Sequence, residues 1–138
     1  MADVHDKNTR SYNMSRIKGK NTKPEMLVRK FLHANGFRFR LHTKEMPGKP
    51  DIVLPKYKTV IFVHGCFWHG HKHCRYFVVP KTRTAWWLNK IIKNIENDER
   101  AAAELLKDGW KVIIIWECEL KNDNIDKILA KLPGKIVT

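Results

Sequence analysis

From residue 22 onward, apolar positions recur at regular spacings. In KPEMLVRKFLHANG, Leu27, Val28, Phe31 and Leu32 fall on one face of a helix. Thr22 is its expected N-cap, with Glu25 as capping-box partner, Pro24 in the first turn and Gly36 as the stop. FRFRLH alternates strictly, Phe37, Phe39 and Leu41 against Arg38, Arg40 and His42, which predicts a half-buried strand. The turn MPGKP leads into DIVL, a second strand. PKYK then turns the chain into TVIFV, whose unbroken apolar run predicts a third strand buried on both faces. Thr84 to Lys107 has helical spacing, with Leu88, Ile91, Ile95, Ala102 and Leu106 on the inner side and Gly109 as the stop. KVIIIW is a fourth strand and NIDKILAKL a short closing helix. The order helix, three strands, helix, strand, helix predicts an α/β protein with one mixed sheet flanked by helices.

Composition adds partners and boundaries. The chain has 138 residues, 43% of them hydrophobic, which suits a single domain over residues 21–138. Residues 1–20 are polar, basic and aperiodic, and read as a mobile arm. No apolar run approaches the roughly 18 residues of a membrane span, and the N-terminus lacks the apolar core of a signal peptide. A cytoplasmic protein without membrane contact is therefore expected. Lys and Arg number 27 against 14 acidic residues, a formal charge of +13. That excess points to DNA or RNA; the plain alternative is a basic surface that serves only solubility. The basic residues are scattered and form no single amphipathic helix, which argues against an anionic membrane.

The densest chemistry lies in VIFVHGCFWHGHKHC, from Val60 to Cys74. Three cysteines, Cys66, Cys74 and Cys118, are an odd count in a reducing compartment, which favours metal ligation over a disulfide framework. Cys66, His71 and Cys74 are close enough in sequence for one loop to wrap an ion, and Cys118 follows the fourth strand. These four soft or borderline donors make the closed set of a structural zinc. His73 can stand in for His71, and spacing does not choose between them. Otherwise Cys66 and Cys118 are small core residues and the histidines lie on the surface. A zinc ion would stiffen an irregular loop that has few backbone partners of its own. It would leave His64 and His69 spare.

Asp51 opens the second strand and His64 closes the third. Paired as neighbours, those strands bring an acid and a histidine to one sheet edge, where they can hold a divalent metal and meet a phosphate. Asp98 lies in line with Ile91, Ile95 and Ala102, so a carboxylate points toward the apolar side of its helix. It either pairs with Arg38 or Arg40, or orients a catalytic histidine. Glu25 either closes its capping box or projects into a cleft. Phe67 and Trp68, adjacent large aromatics, are either core or a wedge held out for a base stack.

NMSRIKGKNTKPE, GKPDIVLP, VIFVHGCFWH, KNIENDER and GWKVIIIWEC, spanning roughly residues 10 to 120, closely resemble the very short patch repair endonucleases. The combination of HGCFWH with an upstream KPD is the specific part. The resemblance implies a restriction-endonuclease-like core with an added structural zinc. It also implies an enzyme that, with magnesium, nicks one strand of duplex DNA beside the thymine of a T·G mismatch left by deaminated 5-methylcytosine. By motif, Asp51 resembles the carboxylate ligand of catalytic Mg2+, with the main-chain carbonyl of Val63 beside it. His69 resembles the general base, Asp98 its support, His64 the residue at the scissile phosphate, and Glu25 the acid holding metal-bound water. Phe67, Trp68 and Trp87 resemble the aromatics that wedge into the stack, and Met14 the arm residue entering from the other groove. Zn2+ would be held by Cys66, Cys74, Cys118 and His71 or His73. The chain departs from some relatives in one extra residue before Cys74 and in Val63 for threonine, and the acid-x-lysine element of the wider nuclease superfamily reads FVH here. A monomer is expected, with mismatch-repair proteins as possible company on the DNA. The rival reading is a non-catalytic, zinc-stabilised mismatch-binding module, to which Asp51 and Asp98 would bring only repulsion from phosphate.

Overall fold

The computed structural model describes residues 22–121 and 125–138. The expected arm over residues 1–20, with Met14, lies outside the described residues.

Helix α1 spans Lys23–Ala34, and the Thr22 side chain accepts a hydrogen bond from the Glu25 N–H. The Glu25 carboxylate turns elsewhere, to Arg29 and His42. Phe37 N–H donates to the Leu32 carbonyl across Gly36, whose φ of +80° suits a residue without a β-carbon. The strand expected over residues 37–42 shortens to β1, Arg40–Leu41. At its start the chain is still closing α1, and Phe37 packs edge-on against Tyr57. At its end His42 takes a φ of +49°, and left-handed backbone cannot continue a ladder.

Strand β2, Ile52–Leu54, pairs antiparallel with both β1 and β3, Thr59–His64; a 3-10 turn over Pro55–Tyr57 joins β2 to β3. Helix α2, Thr84–Lys107, carries the chain over to β4, Lys111–Trp116, which runs parallel to β3. The sheet order is β1-β2-β3-β4, a mixed sheet as expected. Helix α3, Ile125–Val137, closes the fold.

The central strand β3 is buried on both faces because its alternate residues enter two cores. Ile61 joins Val28 and Leu32 of α1 and Leu132 and Ile136 of α3. Val60 and Phe62 join Leu105 of α2 on the opposite face. At roughly 1.5 Å per residue against 3.3 Å for a strand, the 24-residue α2 far exceeds the six-residue strands beneath it. Its inner line runs through Ile91, Ala101 and Leu105, all buried, so Leu106 (60% exposed) faces away from the sheet, and Leu88 (40%) is not an inner position either. The expected closing helix also runs past Leu132, through Pro133 to Val137. Ile136 anchors that last turn in the core, and Lys111 Nζ donates to the Lys135 and Ile136 carbonyls at 2.7 and 3.1 Å.

Candidate active site and metal centre

Antiparallel pairing of β2 and β3 places the start of one beside the end of the other. Asp51 Oδ2 accepts a hydrogen bond of 2.7 Å from the Val63 N–H. Burial pushes the Asp51 carboxyl up to about 7; the Val63 bond opposes this, and the nearby Glu25 carboxylate adds to it. Glu25 is 1% exposed and comes from the first turn of α1. It pairs with Arg29 and lies 3.1 Å from His42 Nε2. One donor atom each from Glu25, His42 and Asp51 falls within a 4.8 Å cluster. Sequence reasoning missed His42 and Arg29. His42 was read only as the polar phase of a strand; its nearness to the GKPD turn was the available signal.

His64 is 5% exposed and stacks face to face on His69, with ring centroids 3.8 Å apart and planes 3° from parallel. Burial lowers its pKa to about 4, and the neighbouring His69 pushes the same way. His69 Nδ1 meets Asp98 Oδ2 at 2.6 Å. Asp98 therefore pairs with a histidine of the loop, not with Arg38 or Arg40. Gly70 makes this possible: its φ is +59°, and a β-carbon there would lie 2.6 Å from Ile95 Cδ1. The loop thus lies directly on α2, held also by the bond from Asn94 Nδ2 to the Trp68 carbonyl at 2.9 Å.

Interleaved with these groups is a second cluster. Donor atoms of Cys66, His71, Cys74 and Cys118 all lie within 4.8 Å of one another, and the cysteines are free of disulfides. Cys118 Sγ is 3.4 Å from His71 Nδ1. A tetrahedral zinc with its usual bond lengths separates sulfur and nitrogen ligands by about 3.6 Å, so the donor set fits that ion. The His71 ring is stacked on Trp116 at 4.0 Å, which fixes its direction. His73 is exposed, with a φ of +58°, and is not among the clustered donors. Burial pushes the Cys66 thiol up to about 12, so a cation must replace its proton if it is to ligate as thiolate.

Phe67, Trp68 and Trp87 pack on one another with centroids 5.2–5.7 Å apart, outside both core clusters. Trp68 is 40% exposed, so the alternative of core packing does not hold for it. Trp86, which sequence reasoning passed over, is 47% exposed and lies edge-on to Trp87 beneath the Arg83 guanidinium.

A model of the family described as DNA mismatch endonuclease Vsr matches residues 2–75 of the chain. The chain belongs to this family. It is 50% identical over 121 residues to the DNA mismatch endonuclease Vsr of Escherichia coli K12, covering 88% of this chain and 77% of that one. It is 55% identical over 125 residues to a type II nicking enzyme of Neisseria meningitidis serogroup A, covering 91% and 89%. A type II nicking enzyme of Xanthomonas oryzae pv. oryzae matches at 48% over 122 residues, covering 88% and 89%. Membership of the Vsr family makes the chain a DNA-repair endonuclease and sets aside the non-catalytic binding module. No helix among the described residues is long and apolar enough to cross a membrane.

Proposed function

We propose that this Vsr-family endonuclease requires magnesium and nicks one strand of duplex DNA beside the thymine of a T·G mismatch. The observation that carries the reading is the His69–Asp98 pair at 2.6 Å, stacked through His69 on His64 and set at the same sheet edge as Asp51. Magnesium held by the Asp51 carboxylate and the Val63 carbonyl would supply positive charge against the phosphate oxygens. Asp98 accepts a hydrogen bond from the Nδ1–H of His69 and so leaves Nε2 to accept a proton from an attacking water. His64, neutral at physiological pH, offers a ring N–H to the scissile phosphate without competing with His69 for the proton. Glu25, buried beside Asp51, would hold water on that cation.

Zinc held by Cys66, His71, Cys74 and Cys118 stiffens the loop on which His69 stands. The same stiffness holds Phe67, Trp68 and Trp87 ready to enter a base stack that a mispair has weakened, with Met14 entering from the arm. Insertion costs a few kcal/mol of unstacking, least at a mismatch, and that difference is the selectivity. The mixed sheet with an acid at the β2–β3 edge accords with a restriction-endonuclease-like core. The test uses strand-labelled duplexes that differ only in a central T·G, C·G or T·A pair, with magnesium or with chelator. A single nick beside the mismatched thymine, only with magnesium, is expected. Equal cutting of all three, or cutting in chelator, overturns the reading.

A further inference from the structure

Arg29 and His42 have no part in the function set out above, yet both touch Glu25. The Arg29 guanidinium can only donate hydrogen bonds, and its Nη2 lies 2.9 Å from His42 Nε2. That contact requires a lone pair on Nε2 and places the imidazole proton on Nδ1. The same guanidinium pairs with the Glu25 carboxylate. Two acceptors 3.1 Å apart, a carboxylate oxygen and an imidazole lone pair, thus share one cation. A divalent ion held between Glu25 and His42 would take over the pairing that this guanidinium now supplies.

The backbone fixes His42 for such a role. Its φ is +49°, and its N–H donates to the carbonyl of Asp51 at 3.2 Å. The residue carrying the imidazole is therefore tied to the residue carrying the second carboxylate. Magnesium prefers oxygen donors and keeps several waters, so it gains little from an imidazole. Later first-row ions such as Fe2+ and Co2+ bind imidazole more strongly.

We infer that His42 is a nitrogen ligand to a divalent cation held with Glu25 and Asp51, giving the site a nitrogen-dependent preference for Fe2+ or Co2+ over Mg2+. The inference rests on the Asp51 cation site of the proposed function, adds His42 to it, and brings Glu25 from holding water there to direct contact with the cation. Co2+ and, separately, Mg2+ are titrated by calorimetry into zinc-loaded wild type, His42→Asn and His69→Asn. Proton NMR of the Co2+ forms follows the shifted, exchangeable Nδ1–H of a cobalt-bound imidazole. Asn tolerates left-handed backbone, and His42→Gln serves as a second variant should His42→Asn not fold.

His42→Asn is expected to lose the shifted resonance and about tenfold or more of Co2+ affinity, at the scale of a lost coordination partner. Its Mg2+ affinity should change less than about threefold, because Mg2+ coordinates chiefly through oxygen. His69→Asn should keep the resonance. Unchanged Co2+ binding and resonance in the His42 variants, or an equal loss for both ions, overturns the inference and leaves the cation site standing. If wild type binds neither ion and Asp51→Asn changes nothing, the cation site itself fails, and the inference with it.

Discussion

Replacing Asp98 by asparagine keeps the shape of the side chain and removes its charge. Its Oδ2 lies 2.6 Å from His69 Nδ1, at the short end for a charge-assisted N–H···O bond. The two side chains are 30% and 28% exposed, so solvent screens the pair and the folding cost should stay below about 1 kcal/mol. The catalytic cost is larger, because the carboxylate both fixes the tautomer of His69 and stabilises the imidazolium formed when it takes a proton. Hydrogen bonds to charged groups contribute about 1.5–3 kcal/mol. At about 1.4 kcal/mol per tenfold in rate, that becomes a loss of about 10- to 150-fold in the cleavage step. Removing the base outright with His69→Ala should cost more, about 10²- to 10⁴-fold. The assay is single-turnover nicking of a T·G duplex with enzyme in excess, with duplex binding measured separately by fluorescence anisotropy. Wild-type cleavage by Asp98→Asn, or a deficit that vanishes at saturating enzyme, would refute the orienting role.

Four further outcomes follow from the same geometry. Cys118→Ala and His71→Ala should each lose zinc by metal analysis and lower the melting temperature, whereas His73→Ala should do neither. Trp68→Ala, at a side chain 40% exposed, should move the melting temperature by only a few degrees but reduce the preference for T·G over paired duplex in binding assays. Gly70→Ala should destabilise the fold in denaturant titration and slow nicking, because its β-carbon would press on Ile91 and Ile95 from a left-handed backbone. The stability of magnesium-free protein should depend on pH through two opposed groups. The raised Asp51 carboxyl contributes below about 4, and that contribution is lost as pH rises through about 7; the lowered His64 contributes above about 6.5, and that is lost as pH falls through about 4. Asp51→Asn should therefore gain stability relative to wild type as pH rises from 4 to 7; a constant difference would show that Asp51 is not held in a raised state.

The parts of the fold that depend on local pattern were legible in the sequence. TVIFV could be read as a strand covered on both faces, and Thr22 as the cap of α1, because each depends on its immediate neighbours. The shortening of β1 was not legible, since it follows from the Phe37 N–H closing α1 on Leu32 at one end and from the left-handed turn at His42, whose N–H bonds to the Asp51 carbonyl, at the other. The inner line of α2, through Leu105 and not Leu106, depends on how the helix is rotated against the sheet, which its periodicity leaves open by one position. The continuation of α3 past Pro133 depends on Lys111 and on the pocket that takes Ile136. In the site, the inward carboxylate of Asp98 was visible from helical spacing. Its partner was not, because Arg38 and Arg40 were equally eligible until Gly70 brought the loop onto α2. Arg29 stands one turn from Glu25 on α1 and was within reach of helical spacing, whereas His42 becomes a neighbour of Glu25 only after α1 packs beside β1 and β2.

That the stretch from Val60 to Cys74 holds two interleaved sites is tested most directly by zinc K-edge X-ray absorption on wild type and His69→Ala. Three sulfurs at about 2.3 Å and one nitrogen at about 2.0–2.1 Å are expected in both proteins, although only wild type cleaves. A nitrogen shell that changes when His69 is removed, or an oxygen-rich shell in wild type, would contradict the division of the loop into one metal centre and one catalytic pair.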